Sequence, residues 1–221
     1  MTRFTQTCNR LNTLCSGEPV KLMMIKRERV NATFALKVAG FLFATSPWLA
    51  AADRSIDVEH STLKIHVGKA GLFSAAGHDH RVTAPFAGGS INDGDSPQVA
   101  FTVDARKLTL VEDNKLSAEQ QAEVEHTMHT KVLQSESYPL ISFHSTKIGR
   151  TGVNRWIVSG ELTLHGRSRP IQADVRYGEG AYTGRATIKQ TDFGINPVSV
   201  AGGVVKVKNE LEIQFVVVPL R

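Results

Sequence analysis

The 221-residue chain has only two cysteines, Cys8 and Cys15, and both lie near its beginning. The remainder therefore has no thiol nucleophile, no thiolate metal ligand and no means of forming an internal disulfide. The chain also lacks a G-x-S-x-G elbow, a P-loop and a G-x-G-x-x-G fingerprint, which are signatures of many hydrolases and nucleotide-binding enzymes. Its acidic residues show no paired placement of the kind that glycosidases use. We predict that the protein is not an enzyme.

Long apolar runs are absent too, since no stretch reaches the roughly 20 residues that a transmembrane helix needs. The most apolar segment, residues 38–44 (VAGFLFA), follows a basic stretch and precedes an Ala-x-Ala sequence at residues 50–52. This order is typical of a cleavable secretory signal. We therefore expect cleavage before Asp53 and export to the periplasm.

Removal of that leader changes the charge of the protein. Of the 26 Lys and Arg residues and the 21 Asp and Glu residues, seven and two lie in residues 1–52, so residues 53–221 carry 19 of each sign. A neutral, well-mixed surface gives no support to binding of nucleic acid or of an anionic membrane, since both need a basic face.

We expect translation to start at Met23 or Met24 and residues 53–221 to form one domain.

Alternation of apolar and polar residues with a period of two dominates from Ser55 onward. It is clearest from Val205 to Val217, where apolar residues alternate with lysine, glutamate and glutamine, as in a strand with one buried and one wet face. Similar segments, separated by turn-forming residues, occur at 63–67, 82–86, 99–103, 141–143, 156–164, 171–177 and 182–188. The pattern predicts an all-β fold, a sandwich or a barrel, and the short connections favour an eight-stranded antiparallel barrel.

Residues 117–133 (SAEQQAEVEHTMHTKVL) depart from this alternation. Ser117 with a glutamine three residues later is the pattern of a helix N-cap and capping box. Val124, Met128 and Val132 recur every four residues, which places them on one helix face. We expect one amphipathic helix between the third and fourth strands, where it caps or flanks the barrel.

The inward positions of the predicted strands mix large and small residues. An eight-stranded barrel is just wide enough to be filled by side chains or to hold one small ligand. A solid core and a tapered apolar cavity would both have this composition, so the residues alone leave the two open. The large inward residues are Phe101, Phe143, Trp156 and Phe215, and the small ones are Ala84, Gly160, Gly184 and Ala186.

The most conspicuous polar motif is His78-Asp79-His80. An H-x-H pair places two imidazoles on the same side of a strand, but a zinc site needs at least a third ligand. Residues 81–86 contain no acid that could complete it. We interpret the motif as a polar turn at a strand entrance, while a metal site with a distant third ligand stays open.

The other histidines give a weaker metal signal. His126 and His129 share a helix face, but Thr127 and Met128 stand between them, without the glutamate of an HExxH motif. We interpret this pair as partly exposed helix histidines. The remaining ones, at positions predicted to face outward or to lie near turns, are His60, His66, His144 and His165.

Four short motifs carry a family resemblance. Residues 138–146 (YPLISFHST) are similar to a YPxIxFxS signature, and residues 158–166 (VSGELTLHG) to a vxGxLtlxG strand. Residues 186–195 (ATIKQTDFGI) contain a DFGI segment, and residues 56–61 (IDVEHS) fit a D..HS opening. In this order, the motifs resemble the YceI-like family of periplasmic polyisoprenoid-binding proteins over essentially all of the chain after the leader.

The resemblance implies a lipocalin-like barrel, capped by the helix, with an apolar tunnel for an isoprenoid chain. We expect no cofactor, while a metal stays open. The protein would carry or sequester a polyprenyl or quinone-like lipid. On this basis the expected ligand contacts are Phe101, Val103, Met128, Phe143, Trp156, Val158, Leu162, Ile188, Phe193 and Phe215. The expected rim residues, which would orient the head group, are His78, Asp79, His80 and Arg81.

The chain departs from the family in its first predicted hairpin. Many family members carry a hydrophobic hairpin with G-x-F there, whereas residues 77–82 of this chain are GHDHRV. The resemblance therefore does not specify which lipid is bound. A membrane or membrane protein would donate or accept the lipid, and a homodimer stays open. Two alternatives remain beside the lipid carrier. One is a metal-binding protein that uses His78, His80 and a third ligand, and the other is a ligand-free stress or interaction module with a solid core.

Overall fold

The structure, a computed structural model, describes residues 53–70, 79–111, 116–200 and 205–220. The predicted leader of residues 1–52, with its starts at Met23 or Met24, lies outside these residues, and so does His78. Within the described residues, no helix is long and apolar enough to cross a membrane.

The described chain is built mainly from antiparallel strands with short connections. The strands are β1 (Arg54–Ala70), β2 (His80–Ala84), β3 (Phe86–Asn92), β4 (Gln98–Asp104), β5 (Thr109–Leu110), β6 (Leu140–Gly152), β7 (Arg155–Leu164), β8 (Arg167–Gly178), β9 (Ala181–Lys189), β10 (Ser199–Val200) and β11 (Val205–Pro219). The helical segments are a 3-10 turn (Ala105–Lys107), α1 (Ala118–Thr127), a π-helical turn (Met128–Val132) and a second 3-10 turn (Gln190–Phe193).

The strands form one sheet that closes into a barrel. Hydrogen-bonded neighbours follow the order β11-β9-β8-β7-β6-β4-β3-β1, and β11 pairs with β1 from Pro219 opposite Ile56 to Lys206 opposite Ala70. β2 and β3 both pair with β1 and together occupy one strand position of the barrel. This position is interrupted at Pro85, which has no N–H to donate. The predicted eight-stranded antiparallel barrel is therefore confirmed.

Side-chain alternation separates the interior from the surface. In β7, Val158, Leu162 and Leu164 are buried, whereas Arg155 and Glu161 are exposed. Successive side chains of a strand point to opposite faces, so the apolar residues of all the strands meet inside the barrel. The interior set contains two buried clusters, one centred on β1 to β4 and the other on β6 to β9.

The predicted helix is confirmed together with its capping box. The Ser117 hydroxyl accepts a hydrogen bond from the Gln120 N–H at 3.2 Å, and the Gln120 side-chain oxygen accepts one from the Ser117 N–H at 2.9 Å. These bonds satisfy two groups that a helix start otherwise leaves unpaired. Met128 and Val132 pack against the core clusters, so the apolar stripe faces the barrel interior.

Candidate functional site

The barrel interior contains an apolar cavity of about 1060 Å³. This volume lies just above the roughly 300–1,000 Å³ that small-molecule sites occupy. Inward side chains from all eight strand positions of the barrel and from the helical segment line the cavity. The interior is thus a cavity rather than the solid core that the residues alone had left open.

Nine of the ten residues predicted to contact a ligand line this cavity, and their contact with a ligand stays a prediction. They are Phe101, Val103, Met128, Phe143, Trp156, Val158, Leu162, Ile188 and Phe215. Phe193 is placed differently: it is 1% exposed and packs in the β6-to-β9 cluster, but it is not among the lining residues. Its position on the 3-10 turn after β9 takes it out of the alternation that governs the strands.

Aromatic rings form part of the cavity wall. The ring of Phe101 meets Phe86 edge-to-face and Phe143 in a stacked arrangement, each with centroids 5.3 Å apart. Such pairs add about 0.5–1.5 kcal/mol beyond the burial of area. The wall is therefore stiff where Phe101 and Phe143 stand in register on β4 and β6.

Two glycines lie directly beneath aromatic rings. A Cβ atom on Gly160 would lie 2.4 Å from Cζ of Phe143 and 2.4 Å from the His144 carbonyl oxygen. A Cβ atom on Gly184 would lie 2.4 Å from Cζ of Phe215. Real Cβ atoms essentially never approach so closely, so the rings lie flat on the wall only because these positions carry no side chain.

One end of the cavity is lined by the β3–β4 loop together with Trp156 and Tyr182, and we call it the hairpin end. The Tyr182 hydroxyl donates to Asp93 at 3.2 Å, and Asp93 also pairs with Arg54. Burial, followed by the Asp93 carboxylate, raises the pKa of Tyr182 above its ordinary value. Tyr182 is thus a neutral hydrogen-bond donor that ties β9 to the β3–β4 loop.

The other end is lined by residues 123–133 of the helical segment, and we call it the helix end. His80 lines the cavity there, whereas Arg81 and Asp79 are exposed. Asp79 accepts a hydrogen bond from the Lys69 N–H at 3.1 Å and lies 3.8 Å from His66. Of the predicted rim residues that the structure describes, His80 alone reaches the cavity, because alternation along β2 turns Arg81 outward.

The described residues contain no group of three or more His, Cys, Asp or Glu side chains that could hold a metal ion. His126 is exposed. His129 is engaged: its Nε2 donates to the Leu108 carbonyl at 2.9 Å, and its Nδ1 lies 3.2 Å from the Ser135 hydroxyl. Both nitrogens of this imidazole therefore tie the helical segment to its neighbours.

Sequence reasoning missed part of the lining. Alternation alone places the apolar residues of β1 and β8 inside, but they were not selected as ligand contacts. Tyr182 begins the alternating segment 182–188 and was likewise not selected. Arg150 was missed because the contact of a charged residue with the cavity mouth depends on strand register, which periodicity does not give. The missed lining residues include Leu63, Ile65, Val67, Arg150, Ala173, Val175 and Tyr182.

The comparisons with known proteins agree with this architecture. The sequence profile of the YceI-like domain matches residues 55–218. The chain belongs to the YceI-like family. A UPF0312 protein of Pseudomonas savastanoi pv. phaseolicola and one of Pseudomonas syringae pv. tomato are each 34% identical over an alignment 80 residues long, which covers 32% of this chain. The match spans 42% of the length of these curated relatives.

A solved structure shows the same fold. BcnA of Burkholderia cenocepacia superposes with a TM-score of 0.51 at 16% identity, over 73% of this chain and 98% of that protein. A polyisoprenoid-binding domain from Saccharophagus degradans, implicated in plant cell wall breakdown, has a TM-score of 0.47 at 14% identity, over 74% of this chain and 95% of its own. The match of the YceI-like profile to residues 55–218 confirms the family resemblance drawn from the four motifs.

Three of the YceI-like motifs meet at one corner of the barrel. The Tyr138 ring packs on His165 with centroids 4.3 Å apart, and His165 Nδ1 lies 3.4 Å from the Phe193 carbonyl. Gly166 has φ +69°, and a Cβ there would lie 2.8 Å from the Tyr138 ring. These residues close the β7–β8 turn against the turn after β9, which explains why Phe193 is buried outside the cavity.

Proposed function

We propose that this YceI-like protein is exported to the periplasm and binds an isoprenoid-type lipid in the barrel cavity, as a carrier or sequestering protein rather than an enzyme. The observation that carries the proposal is the apolar cavity of about 1060 Å³, whose lining comes from all eight strand positions of the barrel. Its polar lining residues concentrate at the two ends, where a head group would find hydrogen-bonding partners.

Hydrophobic transfer alone is large enough to hold such a ligand. Burial of one CH₂ group contributes about 0.8 kcal/mol, so a 20-carbon tail offers roughly 16 kcal/mol before costs. Association and ordering cost about 4–15 kcal/mol. The remainder supports binding without any catalytic group, provided that the tail fills the cavity.

The first test is mass spectrometry of the protein purified from a periplasmic extract without detergent, in the native state and after solvent extraction. We expect one isoprenoid-like lipid per chain. Trp156→Asp replaces the indole that lines the hairpin end of the cavity with a carboxylate. The lost apolar contact area and the cost of desolvating the charge should abolish lipid uptake.

Ile157→Asp is the matched control, because Ile157 follows Trp156 on β7 but is 38% exposed on the outer face. This variant should retain lipid. Protein that is recovered folded and empty from the unmodified chain would contradict the proposal, and so would a Trp156→Asp variant that carries a full complement of lipid.

A further inference from the structure

The width of the cavity depends on two rings that rest on glycines. Phe143 and Phe215 both line the cavity, whereas Gly160 and Gly184 do not. Phe215 stands directly opposite Gly184 in the β9–β11 ladder, and Phe143 reaches across from β6 to cover Gly160 of β7. Each glycine is therefore hidden behind a ring that forms the wall.

These two ring–glycine pairs flank β8, where Ile171 is in register with Gly160 and Val175 with Gly184. Between these two levels stands Ala173, in register with Val158 on one side and with Ala186 on the other. Both alanines line the cavity, so the wall of β8 and β9 adds little side-chain volume at this level. A side chain on either glycine would displace a ring, and the ring has only the cavity to move into.

We infer that Gly160 and Gly184 are specificity-determining residues, which set the cavity wide enough for a methyl-branched chain rather than for a straight one only. The inference rests on the proposed function and adds the residues that select among apolar chains. A straight chain leaves more of a wide cavity unfilled than a branched chain does, and unfilled space forfeits contacts. The wide cavity therefore favours the branched chain.

A matched pair of probes measures this selectivity. Phytol and hexadecanol are alcohols with the same main-chain length, and they differ in the methyl branches and the double bond of phytol. Displacement of a fluorescent apolar probe gives the affinity for each alcohol, and their ratio is the readout. A substitution that merely destabilises the barrel lowers both affinities and leaves the ratio unchanged.

Gly184→Ala should lower the phytol-to-hexadecanol ratio by about fourfold, the effect of one methyl-sized group. Phe215→Leu should raise the ratio, because a smaller side chain over Gly184 widens the cavity. Gly178→Ala is the control: it lies at the end of β8, and a Cβ there would meet nothing within 4 Å. Its ratio should equal that of the unmodified protein.

Gly184→Ala also brings a Cβ within 2.5 Å of the Asp174 carbonyl oxygen, so this variant can fail to fold. Phe215→Leu creates no close contact with the backbone, so this variant can be measured even if Gly184→Ala does not fold. An unchanged ratio in Phe215→Leu, with both alcohols bound, would overturn the inference and leave the proposed function intact. Failure of the unmodified protein to bind either alcohol would count against the proposed function itself.

Discussion

The two walls of this barrel differ in how they use their inward positions. The wall formed by β1 to β4 includes Phe86, which is 4% exposed and does not line the cavity. The wall formed by β7 to β9 includes Ala173 and Ala186, two small inward residues that do line it. We call the first the packed wall and the second the open wall.

This difference separates stability from binding within one sheet. Removing volume from a packed wall leaves a void that its neighbours fill only partly, so the free energy of unfolding falls. Adding volume to the open wall consumes the cavity, so binding falls while the fold is affected less. Substitutions in the packed wall should therefore act mainly on stability, and those in the open wall mainly on binding.

The largest effect on stability is expected for Phe86→Ala. The Phe86 ring is buried against Phe101 but does not line the cavity, so its loss should lower the free energy of unfolding by about 3–5 kcal/mol. Urea denaturation followed by circular dichroism measures the change. The control is Leu140→Ala, since Leu140 is 57% exposed on β6, and it should stay within about 0.5 kcal/mol. Equal losses in the two variants would show that the β1-to-β4 wall is not a packed core.

A smaller effect on stability is expected for Ala186→Val on the open wall. Overpacking a filled core costs about 1–3 kcal/mol, whereas the added methyl groups here can project into the cavity. The change should be less than about 1 kcal/mol, while the amount of co-purifying lipid, measured by mass spectrometry, should fall. A loss as large as that of Phe86→Ala would mean that the space beside Ala186 is already filled.

The packed wall could be predicted from the sequence, and the open wall only in part. Period-two alternation identifies inward residues such as Phe101 and Val158, and the Ser117 capping box identifies the helix, because both signals are local. The resting place of the Phe143 ring on Gly160 depends on the register between β6 and β7 and on a side-chain rotamer, neither of which alternation specifies. Phe193, predicted as a ligand contact, lies outside the cavity lining for a related reason, since the 3-10 turn after β9 breaks the alternation.

The smallest effect is expected on the outer surface at the end of β4. Arg106 donates to the Asp104 carboxylate from Nε at 2.9 Å and from a terminal nitrogen at 2.8 Å. These hydrogen bonds lower the pKa of Asp104 from 3.8 to about 2. A carboxyl whose pKa is lowered by folding stabilises the protein above its unfolded pKa, and this contribution is lost as the pH falls through the folded value.

Asp104→Asn should therefore destabilise the protein slightly at neutral pH, by less than either interior substitution, because exposed ion pairs contribute little. Thermal unfolding as a function of pH tests the sign. The difference in melting temperature between the unmodified protein and the variant should shrink as the pH falls from 3.8 toward 2. A difference that grows over this range would mean that protonated Asp104 is the stabilising form, contrary to the geometry of its hydrogen bonds with Arg106.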